Sequence, residues 1–253
     1  MTRVAVVGHV EWVDFISLSR FPGEGQIAHA EGAITRAAGG GGVASAVLAE
    51  QGAEVDFFCA LGADADGQAA AAQIAERDIG LHVAWRDQPT RRAITLLTGA
   101  GERTIVTIGE RLEPRGADAL PWDRVRGTDG AYFTAGDGNA LRLTRARTRV
   151  LVASPRGRAA LQDSETAIDA LVFSAVDEDE RVWAERLASR VDLLVATEGA
   201  AGGQWWGSSE GRWSAVSPPG QPHDSYGCGD SFAAGFTLGL ARGASVAEAA
   251  GLG

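Results

Sequence analysis

Short apolar runs alternate along the chain with alanine-rich, partly polar stretches. The runs are RVAVVG at 3–8, EVDFFCALG at 54–62, GAYFTAG at 130–136, RVLVAS at 149–154, ALVFSAV at 170–176 and LLVATEG at 193–199. Each is continuous and rich in β-branched or aromatic residues, which is how a strand covered on both faces reads. The stretches between several of them have helical period: Gly42 to Gln51 stops at Gly52, and Gly67 to Asp78 stops at Gly80. The pattern predicts an α/β fold with a mostly parallel sheet flanked by helices. Two segments depart from it. Arg92 to Ile108 has two strand-like arms around Gly99-Ala-Gly101-Glu, a hairpin signal, while residues 11–36 read as irregular, with Pro22, Gly23, Gly25 and Gly32 among short apolar pieces. Together these lid segments, near 11–36 and 90–109, form either a small β-sheet projecting from the main one or an ordinary loop and hairpin.

Composition narrows the setting. With 253 residues and 45% hydrophobic content, the whole chain, 1–253, fits one α/β domain without a second independent one. A net charge of −10 argues against nucleic acid or an anionic membrane as partner and favours a small polar substrate. No apolar run approaches the roughly 18 residues of a membrane span. The start MTRVAVVG reads as a strand and not as a signal peptide, so a soluble, cytoplasmic protein is expected. Cys59 and Cys228 are too few and too differently placed for a disulfide framework or a metal site, and His9, His29, His82 and His223 are scattered without metal spacing. All 23 basic residues are arginine. The absence of lysine excludes a P-loop, a protein-kinase strand lysine and Schiff-base chemistry.

Four pieces carry candidate chemistry. The first is Asp224-Ser-Tyr-Gly-Cys-Gly-Asp230, running into SFAAGFTLGLA. Gly227 and Gly229 remove side-chain bulk so that backbone N–H groups, including that of Cys228, can converge on an anion at the positive end of a helix. Asp230 follows where a base is needed. The second is Gly39 to Gly42 before a helix, explained by close ligand approach, tight strand–helix packing or a flexible loop. The third is Leu61 to Gly67, a strand end with Asp64 or Asp66 available as helix cap. The fourth is Val195 to Gly203, which either holds nucleotide phosphates against Thr197 and neighbouring amides or simply bends a hairpin.

In this order and spacing the four pieces resemble the ribokinase-like, or PfkB-type, family of small-molecule kinases, over nearly the whole chain. The resemblance implies a substrate aspartate in Asp14, a lid entrance in FPGEG at Phe21 to Gly25, the family's glycine pair within Gly39, Gly40, Gly41 and Gly42, and its Gly-Asp-Asp turn in GADADG. It further implies an anion hole from Gly227, Cys228 and Gly229, a catalytic base in Asp230, and a nucleotide side formed by Asp224, Ser174, Thr197, Gly199 and Gly202. ATP, Mg²⁺ and a monovalent cation are the implied cofactors; the implied acceptor is a sugar or nucleoside hydroxyl held between Asp14 and Asp230. Arg103, in the turn GER, is a candidate for reaching substrate or phosphate from the lid.

Three departures qualify the likeness. Val43 stands where most members have asparagine, and Ser174-Ala-Val-Asp177 replaces Asn-x-x-Glu, leaving Asp177 as the carboxylate near magnesium. The chain ends at Gly253, where relatives continue with elements that complete the adenine pocket, so the C-terminal part of the family fold is expected to be missing. These features keep a second reading open, a weakly active relative that senses a sugar or nucleoside. A nicotinamide-dependent oxidoreductase would need G-x-G-x-x-G after the first strand, where GHVEWVD stands instead. A projecting lid with an exposed edge also suggests a homodimer.

Overall fold

The computed structural model describes residues 1–98, 103–216 and 225–253. Along the first half run β1 (Arg3–Val7), β2 (Glu11–Leu18), β3 (Gly32–Ala38), α1 (Gly40–Glu50), β4 (Glu54–Gly62), α2 (Ala65–Ala75), β5 (Gly80–Arg86), β6 (Arg92–Thr98) and β7 (Arg103–Ile108). The second half carries β8 (Thr128–Phe133), α3 (Gly138–Arg145), β9 (Thr148–Ala153), α4 (Arg158–Ser164), β10 (Ile168–Ser174), α5 (Glu178–Leu187), β11 (Val191–Thr197), β12 (Gly203–Gly207), β13 (Gly211–Trp213), α6 (Cys228–Ala241) and α7 (Val246–Ala250).

All six apolar runs become strands of one nine-stranded sheet, ordered β13-β12-β11-β10-β9-β8-β1-β4-β5. Pairing is parallel from β11 to β5, and only β12 and β13 run antiparallel at the edge. Both faces are buried, and the side chains alternate between them. Val4 and Val6 of β1 pack into the core beneath α1, α2 and α6, whereas Ala5 and Val7 join the opposite core with α3, α4 and α5. That two-sided burial is why these strands read as unbroken apolar runs. β5, which the sequence pattern did not single out, is a less buried edge strand.

The second sheet has four strands in the order β3-β2-β6-β7. β2 and β6 are parallel neighbours; β3 and β7 flank them antiparallel. The segment 11–36 is therefore less irregular than expected, because EWVDFISL alternates. Glu11, Val13 and Phe15 turn to a buried face, Trp12, Asp14 and Ile16 to a more open one. The predicted hairpin turn at 99–102 lies outside the described residues. Among helix starts, α1 begins at Gly40, two residues earlier than predicted. Asp64 caps α2 by accepting the Gly67 N–H at 2.8 Å.

Candidate active site

The parallel strands all end on one side of the sheet, where helix N-termini also point, the usual place for a site in an open α/β sheet. α6 opens there from Gly227, whose φ of 73° lies in the left-handed region that favours glycine. The first amide of this turn to bond back into the helix is that of Ser231, donating to the Gly227 carbonyl at 2.8 Å. The N–H groups of Cys228, Gly229 and Asp230 have no partner among the described residues. Three unpartnered amides at the positive end of a 14-residue helix fit an anion. They face a cavity of about 720 Å³ that Asp230, Arg156, Glu180 and Thr197 also line.

Asp230 lines that cavity and is half-buried. Its Oδ1 accepts a hydrogen bond from the Tyr132 hydroxyl at 3.0 Å. Burial raises its carboxyl above the usual carboxylate range; Tyr132 and Arg156 pull it back, and Glu180 pushes it further up. The glycine run explains how the carboxylate fits. A Cβ on Gly40 would stand 2.9 Å from Asp230 Oδ1, and one on Gly41 would strike the Phe57 ring at 2.7 Å. Of the three explanations open for these glycines, tight packing of α1 against β1 and the site is the one observed.

The sequence-selected residues divide into those at the cleft and those away from it. Gly39, Gly40 and Gly41 lie at the start of α1, and Gly39 donates its N–H to the Tyr226 hydroxyl at 3.2 Å. Arg103 reaches across from the lid and hydrogen-bonds Ser225, just ahead of the anion turn. Ser174, Thr197 and Gly199 line the cavity. Gly199 and Gly202 continue, with Trp213 and Phe232, around a second cavity of about 760 Å³ that shares Thr197, Cys228 and Gly229 with the first. Val195 to Gly203 is both a hairpin bend, β11 to β12, and part of the cavity wall. Asp177 caps α5, its Oδ1 accepting the Glu180 N–H at 3.1 Å. Asp224 lies outside the described residues.

One expectation is corrected. Asp14 does not face Asp230. It lies on the opposite face of β2, accepting from Thr35 at 2.6 Å and Arg92 at 2.7 Å, because a strand turns successive side chains to opposite sides. The carboxylate on the cleft-facing side is Glu11, three residues earlier and 7% exposed. Val43 packs against the turn before α6, where a Cβ on Gly227 would meet its Cγ1 at 3.0 Å, and it lines a groove with Tyr226.

Several residues had not been selected. Glu180 accepts from the Ser174 N–H at 2.9 Å and from Arg156 Nε at 3.0 Å, linking the ends of β9 and β10. Tyr132 and Tyr226 flank Asp230 and the glycine run, and the Phe15 ring meets Tyr226 edge-on at 4.8 Å, so the lid touches the turn before α6. The alternation of EWVDF was the available signal for Glu11, which shares parity with Val13 and Phe15.

Comparison with known proteins bears on the fold and the family. A search of curated proteins finds no match. Among solved structures, a protein of Agrobacterium tumefaciens provisionally assigned as a ribokinase superposes with a TM-score of 0.80 at 18% identity, over 98% of this chain and 87% of that one. The Arabidopsis thaliana ribokinase complexed with ribose and ATP gives 0.74 at 20% identity, covering 99% and 89%. The adenosine kinase of Sinorhizobium meliloti gives 0.75 at 20% identity, covering 99% and 91%. The model of the pfkB family carbohydrate kinases matches residues 1–139 and 164–253, and the chain therefore belongs to that family of phosphotransferases.

Proposed function

We propose that the protein transfers the γ-phosphoryl group of ATP to a hydroxyl of a sugar or related small molecule. The carrying observation is Asp230, half-buried and hydrogen-bonded to Tyr132 in the first turn of α6, beside the unpartnered amides of Cys228 and Gly229. Asp230 orients the acceptor hydroxyl and takes its proton; the hydroxyl oxygen bonds to the γ-phosphorus, the bond to the bridging oxygen breaks, and ADP leaves. The amides face the charge that develops on the transferred group, a contribution of roughly 10²–10³ in rate for one well-placed donor. Glu11 is the carboxylate placed to hold further acceptor hydroxyls, and Arg103 approaches the phosphates from the lid. The second cavity, walled by Trp213 and Phe232, suits the nucleotide base.

Asp177, Glu178 and Glu180 line the phosphate cavity with hard oxygen donors, the kind magnesium takes. Among the described residues no group of three or more His, Cys, Asp or Glu side chains forms a metal cluster. Magnesium would thus be held by one or two carboxylates together with water and phosphate, and would supply charge neutralisation. A second copy seated on the lid belongs to the same reading, supported by solvent-facing Ile34, Ile105, Val106 and Ile108 in the lid strands.

Asp230→Asn tests the assignment. Turnover, followed as ADP release across a panel of sugars and nucleosides, is expected to fall by about 10²–10⁴ while acceptor binding persists. Wild-type turnover in the variant would remove Asp230 as base. Acceptor binding by the parent protein with no turnover at all would favour the sensor reading.

A further inference from the structure

Tyr132 does not stand alone behind Asp230. Thr134 follows the end of β8, and Ser154 follows the end of β9, the parallel neighbour of β8. Tyr132 pairs with Val152, and both point into the core beneath α6. Side chains two residues apart on a strand share a face, so Thr134 and Ser154 continue that face towards the first turn of α6. The strand pairing holds through both residues: the Thr134 N–H donates to the Val7 carbonyl at 2.9 Å and that of Ser154 to the Phe133 carbonyl at 3.2 Å. Tyr132, Thr134 and Ser154 are all buried, and Tyr132 and Ser154 line the same cavity as Asp230.

Their hydroxyls form a chain with a direction. Ser154 Oγ donates to Thr134 Oγ1 at 3.2 Å, and the Tyr132 hydroxyl donates to Asp230 Oδ1 at 3.0 Å. Packing sets the Thr134 side chain between these two bonds. A Cβ on Gly8 would stand 2.7 Å from its Cγ2, while a Cβ on Gly40 would stand 3.0 Å from its Oγ1 and 2.9 Å from Asp230 Oδ1. The methyl group therefore faces β1, and the hydroxyl faces the carboxylate side. Burial lifts the Tyr132 phenol well above its usual range and Asp230 lifts it further, whereas Ser154 and Thr134 act on its oxygen as donors and pull it down. A hydroxyl has a single proton to give, and one whose oxygen receives hydrogen bonds is the stronger donor. With its oxygen occupied by these two neighbours, Tyr132 has its proton left for Asp230.

We propose that Ser154 and Thr134 are positioning residues for the base: their hydroxyls donate towards the Tyr132 oxygen, aim the Tyr132 proton at Asp230 and hold the carboxylate in its proton-accepting form. The role of Asp230 as base rests on the kinase reading, but the ionisation of its carboxyl is measurable without it. The other charged and titratable groups that act on Asp230 or feel its charge are Arg156 after β9, Glu180 on α5, Glu11 on β2 and Tyr226 before α6. Substitution at 134 or 154 replaces none of them.

Protein carrying ¹³C at its aspartate carboxyls is titrated by NMR, the Asp230 signal being the one lost in Asp230→Asn. Thr134→Val, which keeps the shape and removes the hydroxyl, and Ser154→Ala are each expected to move the Asp230 midpoint to higher pH by about 0.5, with about a threefold loss of kcat/KM on the acid limb. Thr134→Ser keeps the hydroxyl and should titrate as the parent does. In a Tyr132→Phe background neither substitution should move the midpoint further, because both act through the phenol. A midpoint unmoved in Thr134→Val and Ser154→Ala, whatever happens to their unfolding temperatures, would reduce both residues to packing and overturn the proposal. A midpoint that falls would overturn it too, since the hydroxyls would then be competing for the Tyr132 proton, and so would equal shifts with and without Tyr132. If the midpoint moves as expected but the parent releases no ADP with any acceptor, the hydroxyl chain stands and the kinase reading falls.

Discussion

Gly227 is confined twice over. Its φ of 73° disfavours any side chain, and the Val43 methyl groups leave a Cβ only 3.0 Å. Gly227→Ala is expected to cost about 1–2 kcal/mol in urea denaturation. Adding Val43→Ala should return the steric part and leave the backbone part, so full recovery in the double variant would mean that φ is unimportant. Tyr132 bears on rate and pH. Its hydroxyl favours ionised Asp230, so Tyr132→Phe raises the carboxyl's protonation range further. The base works deprotonated, and the acid limb of the kcat/KM profile should therefore move to higher pH, with roughly a tenfold loss below neutrality. An unmoved limb would disconnect Tyr132 from the base. At neutral pH ionised Asp230 is a cost to the fold, because its raised carboxyl prefers the protonated form. Asp230→Asn should accordingly raise the unfolding temperature, by about 2–4 °C for each kcal/mol relieved.

The lid and the turn before α6 meet through side-chain contacts that include Phe15 on Tyr226 and Arg103 on Ser225. Phe15→Ala should raise the acceptor KM about tenfold and increase ATP hydrolysis in the absence of acceptor, because a looser lid admits water. ADP release measured with and without acceptor separates the two effects; an unchanged ratio would deny the lid that role. At this scale the sequence was informative where burial is two-sided or glycine is obligatory. The parallel strands showed as apolar runs, and the left-handed opening of α6 showed through Gly227. It was less informative where roles depend on side-chain direction. Asp14 and Glu11 are both carboxylates on β2, and only the parity of Val13 and Phe15 separates the face that meets the cleft from the face that meets Arg92. Arg156 and Glu180 are brought together by strands that end side by side, 24 residues apart in sequence, so no local spacing marks them.

For the whole molecule, the lid strands expose Ile34 at 59%, Val106 at 51% and Ile108 at 50%. If a second copy covers them, sedimentation should give a dimer, and Val106→Asp should shift the mass towards a single protomer at equal concentration. A monomeric parent would retire the lid contact as an interface. The main sheet and its two cores stand independently of that outcome, since each β1 neighbour is paired and both faces are covered within one chain. The contacts of Phe15 and Arg103 with the turn before α6 have a further result for traffic through the cleft. On the proposed reading the acceptor end and the phosphate cavity both lie under strands that touch the turn before α6, Arg103 and Ser225 lining the latter, whereas no lid residue lines the second cavity, along β11 to β13. Opening of the lid is therefore needed to load the acceptor and the phosphate end of a nucleotide alike, whereas the base end can seat while the lid is shut.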